Sequence, residues 1–142
     1  MFYGAFEYKV DGKGRVPVPP RFREELHGSL VLTRGPEKCL NAYPVTEWRK
    51  LADLFTTNGA MAPSKQRRLT RAFFATAFTV DIDSQGRVAL PGVLREYAGI
   101  EGEIVITGVN TYLEMWNRER WDAEKESVQE QFWQDIESLE RR

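Results

Sequence analysis

The chain has 142 residues, enough for one compact domain or two half-sized units around a shared core, and too few for two independent cores. An apolar fraction of 42% with 12% aromatic residues excludes a disordered chain. The formal charge of −1 gives no global argument for nucleic acid, yet residues 1–100 carry 15 Lys/Arg against 10 Asp/Glu and residues 101–142 carry 5 against 11, a basic body with an acidic end.

A single cysteine, Cys39, and a single histidine, His27, allow no intrachain disulfide and no Cys/His zinc cluster, so no metal is expected. The opening Met1-Phe2-Tyr3-Gly4-Ala5-Phe6-Glu7 has neither a basic start nor a long apolar run, which points away from a signal peptide or a membrane span and toward the cytoplasm.

In chain order, Phe6, Tyr8 and Val10 alternate with Glu7 and Lys9, the period of a half-buried strand. Asp11 ends it with a side chain that accepts from backbone N–H groups two residues on, and Gly14 supplies positive φ, so Asp11–Arg15 reads as a reversal. Val16 and Val18 begin a return strand, which Pro19-Pro20 close while presetting a short helix with Phe22 and Leu26 on one face. Gly28 is the expected stop. Strands follow near 30–34 and 38–43, then a helix capped by Thr46 and running from Glu47 to about Phe55, with Trp48, Leu51 and Phe55 inward. A polar stretch, Thr56 to Ser64, leads to a basic helix near 65–74.

The pattern then starts again. Asp11-Gly-Lys-Gly-Arg-Val-Pro-Val-Pro19 recurs as Asp83-Ser-Gln-Gly-Arg-Val-Ala-Leu-Pro91 at an offset of 72, with Phe78/Val80/Ile82 matching Phe6/Tyr8/Val10 and Leu94-Arg95-Glu96 matching Phe22-Arg23-Glu24. Leu94 and Ala98 form the second short apolar face, with Gly99 or Gly102 as its stop. Strands are expected near 103–107 and 111–116. Leu40, Tyr43 and Trp48 meet Leu113, Trp116 and Trp121 at an offset of 73. The second half ends in a longer helix from about Arg118, with Trp121, Val128, Phe132, Ile136 and Leu139 at helical spacing. The expected division is a first half-module over 1–62, a basic linking helix over 63–75 and a second half-module over 76–142.

Two arginines on tight glycine turns, Arg15 and Arg87, have the planar fork that suits guanine edges or phosphate. Gly14 and Gly86 remove bulk, and Lys13 and Gln85 share the turns. The competing reading is that Asp11 with Arg15, and Asp83 with Arg87, pair across their own turns to hold the hairpins. Catalysis has poor material: His27 sits at a helix end, Asp83 is used by its turn even though Asp81 lies beside it, and Gly12-Lys13-Gly14-Arg15 lacks the phosphate-loop spacing.

Paired Asp-x-x-Gly-Arg-Val-x-Val/Leu-Pro segments followed by an Arg-Glu helix, the opening Phe2-x-Gly4-x-Phe6-x-Tyr8-x-Val10-Asp11 and the run Arg68-x-x-Arg71-x-Phe73-Phe74-Ala75 resemble the MraZ proteins of bacteria over nearly the whole chain. The resemblance implies an α+β, β-rich fold, a duplicated swapped-hairpin (SpoVT/AbrB-like, double-split) β-barrel with flanking helices and a long C-terminal helix. It also implies a ring-shaped homo-oligomer that binds double-stranded DNA. Its members are transcriptional regulators, typically repressing the division and cell-wall gene cluster that includes their own gene through short direct promoter repeats, which implies a nucleoid-associated protein. It implies no cofactor and no small-molecule substrate.

The family's DNA-contacting motif falls on Asp11–Arg15 and Asp83–Arg87, with Arg15, Lys13, Gly14, Arg87, Gln85 and Gly86 as contacts and Asp11 and Asp83 holding the turns. Because Lys13 stands where the second copy has Gln85, Arg15 is expected to contribute more than Arg87. Lys65, Arg67, Arg68 and Arg71 could meet phosphates, or pair with the acidic C-terminal helix of the same or a neighbouring chain. The apolar face with Trp121, Phe132 and Ile136, and Trp133 beside it, exceeds what one small barrel needs and points to an inter-subunit contact. An antitoxin-like or other protein-interaction module on the same barrel is the alternative, although relatives of that kind use extended tails.

Overall fold

The computed structural model describes residues 1–57, 59 and 61–141. Its elements are β1 (Ala5–Lys9), β2 (Arg15–Pro17), α1 (Pro20–Leu26), β3 (Ser29–Arg34), β4 (Leu40–Tyr43), α2 (Val45–Thr57), α3 (Pro63–Ala75), β5 (Phe78–Asp81), β6 (Arg87–Ala89), α4 (Gly92–Ala98), β7 (Glu103–Val109), β8 (Tyr112–Asn117), α5 (Arg118–Gln129) and α6 (Phe132–Glu140). A short 3₁₀ turn over Pro36–Lys38 joins β3 to β4.

The repeat organises the pairing. Six strands form one antiparallel sheet in the order β1-β7-β8-β4-β3-β5, and β2 and β6 form a separate two-stranded ribbon. The first strand of each half therefore lies beside a strand of the other or later half: β1 on β7 and β5 on β3, with Phe6 opposite Ile106 and Phe78 opposite Leu32. The sheet order maps onto itself when the halves are exchanged. Its approximate two-fold runs between Val16 and Val88 in the ribbon and between Asn41 and Glu114 in the central strand pair, each pair being equivalent residues set opposite one another. Mixed α and β content with a β-rich antiparallel sheet agrees with the expected class. The strands hydrogen-bond as an open sheet with β1 and β5 at its edges, plus the ribbon, rather than as one closed barrel.

Alternation places one face of every strand inward. Val16, Val18, Val88 and Leu90 of the ribbon segments join Leu30, Leu32, Leu40, Ile104, Ile106, Leu113 and Met115 of the sheet in one core, sealed by Phe22 and Leu26 of α1 and by Leu94 and Ala98 of α4. Phe22 lies edge-on to Phe2 at 5.2 Å and to Phe6 at 5.4 Å. Both short helices start after a proline, Pro19 and Pro91, and both end on a left-handed residue at the equivalent position: His27 (φ 51°) in the first half, Gly99 (φ 63°) in the second. The stop of α1 is thus His27 with Gly28 after it, and Gly102 is not the stop of α4.

Two helix expectations change. Thr46 does not cap α2, because Val45 is already helical and the Pro44 carbonyl accepts from the Trp48 N–H. The C-terminal helix is not one rod. It breaks between α5 and α6, where the Gln131 N–H bonds the Val128 carbonyl three residues back and tightens the turn. Trp121 packs on Trp116 (5.7 Å between rings) near the start of α5, while Val128 further along is exposed, so the helix has left its support before the break. No described helix is long and apolar enough to cross a membrane.

Candidate nucleic-acid interface

Each Asp-x-x-Gly-Arg turn is built by one carboxylate. Asp11 Oδ1 accepts from the backbone N–H of Lys13 and of Arg15, both at 2.9 Å, and Oδ2 accepts from Arg15 Nε at 2.7 Å. Asp83 repeats this with Gln85 and Arg87 N–H at 2.9 Å and Arg87 Nε at 3.2 Å. The Gly14 and Gly86 N–H groups close the turns on the carbonyls of Asp11 and Asp83. Both glycines have positive φ, 76° and 77°, which an L side chain tolerates poorly.

The pairing across the turn is therefore real. Arg15 and Arg87 are not free at the tips: their side chains are 32% and 25% exposed, folded back on their own aspartates. In each, Nε is the atom committed to that aspartate, which leaves the terminal nitrogens of the fork as the groups able to reach outward. Lys13 and Gln85 are exposed.

The two-fold brings the turns together. Arg15 lies opposite Ala89 and Arg87 opposite Pro17 in the ribbon, and Arg87 Nη1 comes within 3.9 Å of Asp11 Oδ2. Two further arginines join them. Arg23 on α1 donates from Nε to the Val18 carbonyl at 2.9 Å, and Arg95 on α4 donates from Nε to the Leu90 carbonyl at 3.1 Å. Each then lies over the opposite half's turn: a Cβ built on Gly14 would fall 2.8 Å from Arg95 Cζ, and one on Gly86 closer still to Arg23. The space beside each glycine thus holds the other half's guanidinium. Arg23 and Arg95 were not among the sequence-derived candidates, although they share the offset of 72.

Four guanidiniums and the Lys13 ammonium thus share one end of the molecule with the carboxylates of Asp11 and Asp83. The backbone N–H of Arg15 does most to hold the Asp11 carboxyl down at about 2, below its ordinary 3.8, against partial desolvation and helped by the Arg15 side chain and the Lys13 N–H. Asp83 is lowered for the same reasons, led by the Arg87 N–H. A depressed carboxyl favours the fold above its unfolded value near 3.8, and the contribution disappears as pH falls through the folded value near 2. In a carboxyl-carbon NMR titration Asp11 should stay ionised at pH 3; a midpoint near 3.8 would contradict the turn geometry.

Elsewhere, Lys65, Arg67, Arg68 and Arg71 are exposed along α3, on a different element from the turns. Burial pushes the Cys39 thiol up to about 12, so it stays protonated at neutral pH and is no nucleophile.

Fold and site together define a duplicated α+β protein with a paired Asp-x-x-Gly-Arg turn at its two-fold. The family model described as "MraZ protein, putative antitoxin-like" matches residues 1–71 and 73–141. Proteins named transcriptional regulator MraZ are similar along most of the chain. That of Dehalococcoides mccartyi strain BAV1 is 53% identical over 141 residues, 99% of each chain. That of Thermomicrobium roseum is 44% identical over 126 residues, 89% of this chain and 88% of the relative, and that of Frankia alni 39% over 132 residues, 93% and 92%. The chain belongs to the MraZ family, whose named relatives are transcriptional regulators.

Proposed function

We propose that this protein is a cytoplasmic, nucleoid-associated transcriptional regulator that binds double-stranded DNA at short direct repeats, acting as a repressor of the division and cell-wall gene cluster that contains its own gene. The observation that carries the reading is the convergence of Arg15, Arg87, Arg23 and Arg95 at the two-fold, with Lys13 beside them. Arginine forks read guanine O6 and N7, and the same cluster neutralises phosphate. Arg15 and Arg87 take the base-reading role, with Lys13, Gln85, Gly14 and Gly86 completing the turns and Asp11 and Asp83 fixing them. Arg23 and Arg95, tied at Nε to carbonyls of their own halves, position the opposite turn and offer their outer nitrogens to the DNA backbone.

In this reading the halves 1–62 and 76–142, joined by 63–75, interlock as a swapped-hairpin barrel, and several chains form a ring. A ring presents many modest contacts to repeated sites at high effective concentration, so affinity depends on repeat number and spacing. The antitoxin-like alternative would use an extended tail, whereas Arg118–Gln129 and Phe132–Glu140 are helical.

The test is an anisotropy titration of the protein with the promoter upstream of its own gene at two salt concentrations. Specific binding that strengthens with repeat number is expected, and Lys13→Ala should lower the log–log salt slope by about 1 while leaving sequence preference intact. Binding to the promoter no tighter than to unrelated duplex sinks the reading.

A further inference from the structure

Each half ends in a helix that carries an adjacent aromatic pair, but only the first half's pair packs on the fold. In the first half, the aromatic pair Phe73-Phe74 of α3 packs on α2: Phe73 stacks on Trp48 at 4.9 Å and on Phe55 at 4.6 Å, and Phe74 meets both edge-on. The second half's pair, Phe132-Trp133, opens α6 instead of closing it, and among the described residues those rings meet only each other. Phe132 is 48%, Trp133 70% and Leu139 63% exposed. Among the described residues, every hydrogen bond and ion pair recorded for 131–141 ends within residues 128–141.

The first half, for its part, holds an open groove. Leu51, Leu54 and Phe55 of α2, Leu69 and Phe73 of α3, and Met61 between them line a cleft of about 350 Å³ floored by Tyr43. Gln66 Nε2 donates to the Phe55 carbonyl and ties the two walls. Leu54 is 60% and Leu69 43% exposed at its rim.

We infer that α6 of one chain docks in the α2–α3 groove of a second copy. Phe132, Ile136 and Leu139 stand at i, i+4 and i+7, the anchor spacing by which an amphipathic helix fills an apolar groove. The charges match as well. Within α3, Lys65, Arg67, Arg68 and Arg71 face no acidic residue of their own helix, and no ion pair is recorded for them among the described residues; α6 carries Asp135, Glu137 and Glu140 and no base.

The occupant is a second copy and not the chain's own α6. The groove lies over Tyr43, which stacks on Tyr112 at the start of β8, whereas α5 leaves from Asn117 at its far end and is held there by Trp121 on Trp116. Because knob and groove are different surfaces of one chain, their contact is head-to-tail, which propagates from chain to chain and closes into a ring when its rotation permits. The inference rests on the self-assembly in the proposed function and names the surfaces that produce it.

Two variants test it in the full chain by size exclusion with light scattering at micromolar concentration. Leu54→Asp places a charge at the rim of the groove and leaves α6 intact; Ile136→Asp does the reverse. Each alone should run at the monomer mass of 16.4 kDa. Mixed in equal amounts they should give a species of twice that mass and none larger, because one intact groove and one intact α6 remain. Both variants must show the wild-type far-UV spectrum, and heterodimer formation itself requires two folded chains. A wild-type oligomer that persists in Leu54→Asp, or natively folded variants that stay monomeric on mixing, overturns the docking while leaving self-assembly standing. A monomeric wild type overturns both.

Discussion

Arg15→Ala is expected to weaken promoter binding by about 5- to 150-fold, the equivalent of roughly 1–3 kcal/mol for one lost bidentate contact to a base edge, and Arg87→Ala to weaken it less. The geometry makes a purely structural role testable at the same residue. Arg15 Nε is held by Asp11 at 2.7 Å, so if the arginine only clasped its turn, breaking the clasp from either side would have one effect. Asp11→Asn separates the cases. It removes an anion from the face proposed to meet phosphate and loosens the guanidinium, while its amide oxygen still accepts from the Lys13 and Arg15 N–H groups. Affinity should therefore hold or rise in Asp11→Asn and fall in Arg15→Ala. Arg15→Lys adds the third measurement, since lysine keeps the charge and loses the fork: the salt slope should survive while discrimination between promoter and unrelated duplex collapses. Equal losses in Asp11→Asn and Arg15→Ala would reduce the turn to a hairpin clasp.

Whether each part of that site is legible in the sequence depends on whether its interactions are local. The Asp11–Arg15 turn is legible because its donors and acceptor lie within five residues, and the second copy at Asp83–Arg87 is legible because it repeats them. Even the choice between an outward fork and an internal pair could be posed from sequence, and the structure answers that Nε serves the pair. Arg23 and Arg95 were equally visible at the offset of 72, but their position over Gly86 and Gly14 arises from exchange between the halves, which no local pattern encodes. The strand order is of the same kind. Alternation gave the faces of β1 and β5, while their placement beside β7 and β3 is set by the two-fold through Val16 and Val88. The break before α6 has no sequence marker, since Gln129-Glu130-Gln131 contains neither glycine nor proline and the apolar spacing runs through it in phase.

Phe22→Ala should be the most destabilising single change among the residues of α1 and α4 that seal the core. Phe22 is 2% exposed and carries the edge contacts to Phe2 and Phe6, so truncation loses a large buried side chain, leaves a cavity and deletes two aromatic pairs. A cost of about 3–5 kcal/mol is expected, a large share of the 5–15 kcal/mol typical of a domain. Leu94 occupies the equivalent place in the second half, fully buried and without those ring contacts, so Leu94→Ala should cost roughly 1 kcal/mol or more less. Urea unfolding at one fixed protein concentration ranks the two, concentration being fixed because self-association stabilises the folded chain. The comparison also reaches the interface. Arg23 is the next residue on α1 and holds its place over Gly86 through the Val18 carbonyl, so loosening Phe22 loosens the support of the opposite turn. Phe22→Ala should therefore lower DNA affinity at temperatures where the chain is still folded, acting through the Arg87 turn rather than the Arg15 turn. Leu94→Ala should do the reverse, through Arg95 and Gly14, and lose more affinity per unit of stability, because the turn it loosens is the one that carries Lys13. Equal affinity in the two variants at matched folded fraction would show that the helices support the core and not the turns.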